Sequence, residues 1–266
     1  NMGMAIGFVT STSIGYWIGW RRTFLVWAGI GAIIAIIDLI ILDEQTGKKK
    51  DKNEKIQENL LDYFYSLKKF FSSGMSITII ITVLVLIICS GALWNGVSAF
   101  LVAYINDVKR TPLILAGGLA TISYTVGSLA QVFGGEISDR YGRISVLVGG
   151  FGLFAILLLV FTLPFVRGIV SIIFFVSLLG FSFFVTQPSL TALIADISPS
   201  NTVGFMYGMN FAIKYGVGGI SPVLAGFIVD KYSMTAVFYF FSLISAISFI
   251  FCFKLRTKND KSTFFF

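Results

Sequence analysis

Eight apolar runs, each long enough to cross a bilayer, constrain this chain more than any other feature. They cover approximately residues 2–19, 23–42, 74–104, 113–135, 144–164, 168–195, 204–229 and 233–253. A run of about 18 or more apolar residues reads as a membrane helix, because it matches a hydrocarbon core about 30 Å thick. The runs are continuous rather than alternating over about ten residues, which excludes β-barrel strands. Composition agrees: 12% of residues are charged and mean hydropathy is +0.88, whereas soluble domains carry about 25% charged residues. The expected fold is all-α and polytopic, with eight transmembrane helices in the lipid bilayer.

A net charge of +7 suggests nucleic acid until its placement is read. Seven lysines lie within 43–73, and Lys254, Arg256, Lys258 and Lys261 follow the last run. Alternate loops give 13 Lys/Arg on one side of the membrane and 6 on the other. Basic loops stay cytoplasmic, so the 43–73 loop and the C-terminus are expected inside a plasma-membrane protein. Topology accounts for the basicity, and no nucleic-acid partner is implied. The chain has no histidine and only Cys89 and Cys252, both within apolar runs. A metal site is therefore not expected, nor is any cofactor. Phosphate loops, His-Glu-x-x-His and Gly-x-Ser-x-Gly are also missing from the sequence, so neither an ATP-driven pump nor an enzyme is supported.

Residues 43–73 read as a linker dividing two runs from six. Within it, Ile56, Leu60, Leu61, Phe64, Leu67 and Phe71 recur at helical spacing among charges. That pattern fits an amphipathic helix on the inner leaflet; a plain solvated linker is the alternative. An internal repeat is also present. Gly3-x3-Gly7-x7-Gly15-x3-Gly19 recurs as Gly204-x3-Gly208-x7-Gly216-x2-Gly219, offset by 201 residues for the first three glycines. Each copy precedes a short polar turn (20–22, 230–232), an apolar run and a lysine-rich stretch.

Residues 134–143, Gly-Gly-Glu-Ile-Ser-Asp-Arg-Tyr-Gly-Arg, read as a charged turn between two apolar runs. Their pattern, Gly135-x-x-x-Asp139-Arg140-x-Gly142-Arg143, resembles the signature loop of the major facilitator superfamily of secondary transporters. The sequence departs from that signature at Ile144, where a further basic residue is common. The resemblance implies a twelve-helix fold of two parallel six-helix repeats. On it, residues 1–42 are the last two helices of the N-terminal half, and 43–73 the cytoplasmic linker. Residues 74–255 then form a complete six-helix C-terminal half, and 256–266 a cytoplasmic tail. Four earlier helices, about 130 residues by the repeat arithmetic, are then expected to precede residue 1, and the chain alone is not expected to transport. The resemblance further implies that Gly135, Asp139, Arg140, Gly142 and Arg143 form a conformational gating loop. Its Asp would cap and pair with a neighbouring helix end.

Lys214 is the most informative single residue, ten positions into the 204–229 run. A lysine at the centre of a membrane helix costs about 2.5–3.5 kcal/mol on insertion scales, so it usually faces a cavity or partner. No deeply placed carboxylate is available to it. Its expected partner is substrate, solvent or a residue of the preceding helices; snorkelling along its stem is the alternative. Asn210 lies one turn earlier on the same face. Trp94, Asn95, Tyr124, Gln131, Gln187 and Thr191 are further candidates for substrate or coupling contacts; interhelical glue is their other reading. Pro188 and Pro222 are candidate helix kinks, and interrupted helices near the bilayer centre are typical of transporter sites.

These residues point to gradient-driven secondary transport of a small solute by alternating access, proton-coupled or by exchange. Lys214 leans toward an organic anion, and the 28 phenylalanines toward efflux of an apolar compound. A non-transporting eight-helix receptor or assembly subunit is the alternative.

Overall fold

A computed structural model describes residues 2–41, 77–198 and 202–259. The expected amphipathic helix of 43–73 and most of the tail lie outside the described residues. Within them the chain is helical: α1 (Met2–Ile18), α2 (Trp20–Ile41), α3 (Ile77–Asp107), α4 (Leu113–Tyr141), α5 (Arg143–Thr162), α6 (Ile169–Phe184), α7 (Thr186–Ile197), α8 (Val203–Gly216), α9 (Ser221–Lys231) and α10 (Met234–Asn259). Helices are the natural outcome, since a chain in lipid must satisfy every backbone N–H and C=O internally. Seven segments are long and apolar enough to span a bilayer, two of them composed of α6 with α7 and α8 with α9. These seven are counted among the described residues; α1, with 17 residues described and ended by Gly19 at φ +82°, is shorter than each of the spans counted.

Two turns differ from expectation. The polar stretch 20–22 is helical, and Gly19 alone separates α1 from α2. Likewise 134–143 is not a loop: α4 continues through Tyr141, and the connection is Gly142 at φ +86°. Glycine takes that backbone conformation without the Cβ penalty of other residues. Both breaks lie just ahead of the prolines: the carbonyl four residues before each, which a proline has no N–H to meet, belongs to Phe184 or Gly218, at the break itself. The first break falls at Val185, with Pro188 in the opening turn of α7, and the second at Val217 and a 3-10 turn over Gly218–Ile220, with Pro222 in the opening turn of α9. Proline is well tolerated in a first turn, where its missing N–H has no helical partner anyway.

The core lies among α3, α4, α5, α6 and α10. Tyr104, Phe151, Phe161, Phe238 and Phe241 are fully buried there. Serines bind the helices across the core: Ser242 Oγ donates to the Ala155 carbonyl and Ser245 Oγ to that of Phe151, each at 2.8 Å. α1 packs on α4, where Thr12 fills the space over Gly117. α2 packs chiefly on α1, with Trp27 Nε1 donating to Ser11 Oγ at 2.9 Å. The outer faces of α2, α8 and α9 carry exposed Leu, Ile, Val and Phe, as suits helices in contact with lipid.

Just beyond the end of α3, Lys109 is buried over the rings of Tyr104 and Phe161, 5.5 and 5.1 Å from their centroids. Its ammonium donates to the Leu163 carbonyl at 3.3 Å, tying two loops together. Burial lowers its pKa from 10.5 to about 8, and nearby Arg167 acts in the same direction. An unfolded chain therefore binds more protons than the folded one between these values, so folding stability rises with pH across that window. Melting in detergent between pH 8 and 10.5 should show this rise in the wild type and lack it in Lys109→Met.

Candidate functional site

Two interrupted spans meet α3 inside the bundle. The break between α6 and α7 places Phe183, Phe184 and Gln187, all buried, against it. The break between α8 and α9 approaches from another side. Gly91 and Gly218 allow this, since a Cβ on Gly91 would stand 2.8 Å from Lys214 Cα and one on Gly218 2.8 Å from Gly91 Cα. Ser221 Oγ donates to the Ala92 carbonyl at 2.7 Å and fixes the same crossing.

Lys214 has a partner within the chain, contrary to expectation. Its Nζ donates to Gln187 Oε1 at 2.6 Å, and Ser90 Oγ donates to the same oxygen at 3.3 Å. Gln187 Nε2 in turn donates to Thr186 Oγ1 at 3.0 Å. Asn95 Nδ2 donates to the carbonyls of Gly91 at 2.9 Å and Lys214 at 3.1 Å. The second bond satisfies an acceptor that the end of α8 would otherwise leave open. Three segments thus converge on one ammonium with no carboxylate among these partners. An amide oxygen is a weaker partner for a cation than a carboxylate, so an anionic solute could displace it.

Trp94 adjoins Asn95 and is held among rings. Its ring meets Tyr124 edge-on at 5.6 Å and Phe184 at 4.9 Å, and stacks on Phe183 at 5.9 Å. Tyr124 Oη donates to Ser98 Oγ at 2.7 Å. These rings surround a space of about 30 Å³, too small for an organic solute in this conformation. Asn210 is buried, and its Oδ1 has no partner among the described residues. Gln131 is half-buried about two turns along α4 from Tyr124, and Thr191 donates to the Gln187 carbonyl at 2.9 Å.

At the charged end of α4, the expected aspartate cap is replaced by an arginine clamp. No side chain caps the start of α5; instead Asp139 pairs with Arg143 across the Gly142 break. Arg143 Nε also reaches Asp196 Oδ2 at the end of α7, at 3.0 Å, and Nη1 donates to Ser138 Oγ at 3.2 Å. Arg140 turns away to Glu136 at 2.6 Å in an exposed pair, the kind that contributes little. Gly135 has open space where a Cβ would be, so it makes no close approach. Its neighbour Gly134 does, with a Cβ there falling 2.8 Å from the Val185 carbonyl.

Several of these residues escaped sequence reasoning. Asp196 gave a weak signal, as an acid closing an apolar run just before Pro199. Ser90, Ser98 and Gly91 gave none, because small polar residues and glycines are common throughout membrane helices.

The sequence pattern of the Major Facilitator Superfamily matches residues 1–222 and again 115–264. The chain belongs to this superfamily. Major facilitator proteins are membrane transporters rather than enzymes, and this member is a multi-pass membrane protein. Over 256 residues it is 25% identical to a probable small intestine urate exporter of Mus musculus, a match covering 88% of this chain and 51% of the relative. The quinolone resistance protein NorA of Staphylococcus aureus is 27% identical over 161 residues, 60% of this chain and 40% of NorA. The multidrug resistance protein MdtG of Serratia proteamaculans is 29% identical over 182 residues, 66% of this chain and 42% of MdtG. The chain thus spans about half, or less, of each of these relatives.

Proposed function

We propose that this major facilitator protein exports a small organic anion across the plasma membrane by alternating access, driven by a proton or solute gradient. The observation that carries the reading is the Lys214 ammonium, whose partner among the described residues is the uncharged Gln187, where two interrupted spans meet α3. Export rather than uptake is supported by relatives named for urate export, quinolone resistance and multidrug resistance. The charge asymmetry supports a cytoplasmic location for the 43–73 loop, the Arg143 clamp and the C-terminus. The glycine repeat supports reading α1–α2 and α8–α10 as equivalent parts of two halves, with α3–α10 forming the second. Outward transport of organic anions in everted native-membrane vesicles tests the proposal. Accumulation dependent on the protein and collapsed by dissipating the gradient is expected; gradient-independent accumulation, or none, would refute it.

In this reading the Arg143 clamp is a conformational latch. It ties the α4–α5 turn to the end of α7, the same helix that carries Gln187. Removal of one end should do as much harm as removal of both. Arg143→Ala and Asp196→Ala are expected each to slow transport several-fold, and the double variant to be no slower than Arg143→Ala alone. Additive losses in that double-mutant cycle would show that the two side chains act independently.

A further inference from the structure

We infer that the Lys214 cluster and the Trp94 ring box form one site for aryl carboxylates, with the carboxylate on Lys214 and the ring against Trp94. The inference rests on the reading of Lys214 as the anion site and adds the rest of the solute. α3 links the two parts directly. Lys214 lies on Gly91, and Ser90 shares Gln187 with it, while Trp94 follows Gly91 by three residues. Three residues of helix, a rise of about 4.5 Å, separate the charged and aromatic levels. The 183–187 segment repeats the arrangement from the other side: Phe183 and Phe184 touch Trp94, and Gln187 holds Lys214.

The box is closed here, and the break at Val185, next to Phe184, is the place for it to open. Phe184 leans into the space over Gly127, where a Cβ would overlap its ring. Phe184 also ends α6 immediately before the break at Val185. Its ring can therefore move with the break rather than with a continuous helix. A solute carboxylate that displaces Gln187 Oε1 from Lys214 acts on that same break. Head-group binding and opening of the ring space are thus mechanically linked.

Equilibrium dialysis of the protein in native membrane vesicles can test this with 2-naphthoate, cyclohexanecarboxylate and naphthalene-2-methanol. The wild type should bind naphthoate at least about tenfold more tightly than cyclohexanecarboxylate, since aromatic pairing adds to burial. Trp94→Leu should abolish that preference. Lys214→Met should weaken both acids about tenfold or more and leave the alcohol unchanged. Equal wild-type affinity for the two acids would overturn the aryl-carboxylate site while leaving Lys214 as an anion site; this comparison needs no variant to fold. A naphthoate preference that survives Trp94→Leu would also overturn it. Acids that bind Lys214→Met as tightly as the wild type would overturn the anion reading itself.

Discussion

Lys214→Met should abolish most anion transport, lowering the initial rate in everted vesicles by roughly 10- to 100-fold while leaving the protein folded. The magnitude follows from the hydrogen bond to a charged group that the solute would lose, worth about 1.5–3 kcal/mol. Folding should be spared because the partner is not stranded: Gln187 Oε1 still accepts from Ser90, and Asn95 still binds the backbone carbonyl of residue 214. Methionine also fills similar space at no charge-insertion cost. The melting temperature should therefore stay level or rise. Lys214→Arg keeps the charge but presents a planar fork in place of a compact ammonium, so intermediate activity is expected. Full activity in Lys214→Met vesicles would remove Lys214 from the transport pathway.

Gly91→Leu should have the larger effect on stability. A Cβ at this position overlaps the Lys214 carbonyl and lies 2.8 Å from its Cα. Backbone atoms cannot rotate out of the way as a side chain can. Either α3 and the α8–α9 junction separate or the bundle repacks, and overpacking of this kind costs about 1–3 kcal/mol. Separation would also break the bonds from Asn95 and Ser221 that bridge the crossing. The variant should melt well below the wild type and lose transport with it. Gly118→Leu is the matched control, because open space surrounds that position; its melting should be nearly unchanged. Equal melting of the two variants would show that the crossing tolerates expansion. This pattern differs from that of Lys214→Met, in which activity falls without stability.

The sequence was most informative where a local rule applies. Continuous apolar runs require helices in lipid, and Gly142 interrupts a charged stretch that joins two of them. It was least informative about faces. Helices apolar all round carry no periodic stripe to show which side is buried. Gly134 and Gly135 are adjacent and chemically identical, yet only the first touches α7's approach. Asp139 matched a motif position and pairs with Arg143 at the start of α5, but the contact that reaches α7 belongs to Arg143 and Asp196, 53 residues apart in sequence.

By itself, then, the amino-acid sequence determined that this protein is helical, where its spans fall, that the chain resembles a transporter family, and that Lys214 must be accounted for. Each follows from the cost of exposing backbone or charge to hydrocarbon, a cost borne by the local segment alone. Tertiary structure decided the partners. It set Gln187 on Lys214 across 27 residues and Ser90 on Gln187 across 97, brought rings from two helices around Trp94, and gave Arg143 a second carboxylate. Those contacts depend on how interrupted helices cross at glycines, and crossing geometry is a property of pairs of segments that neither segment encodes alone.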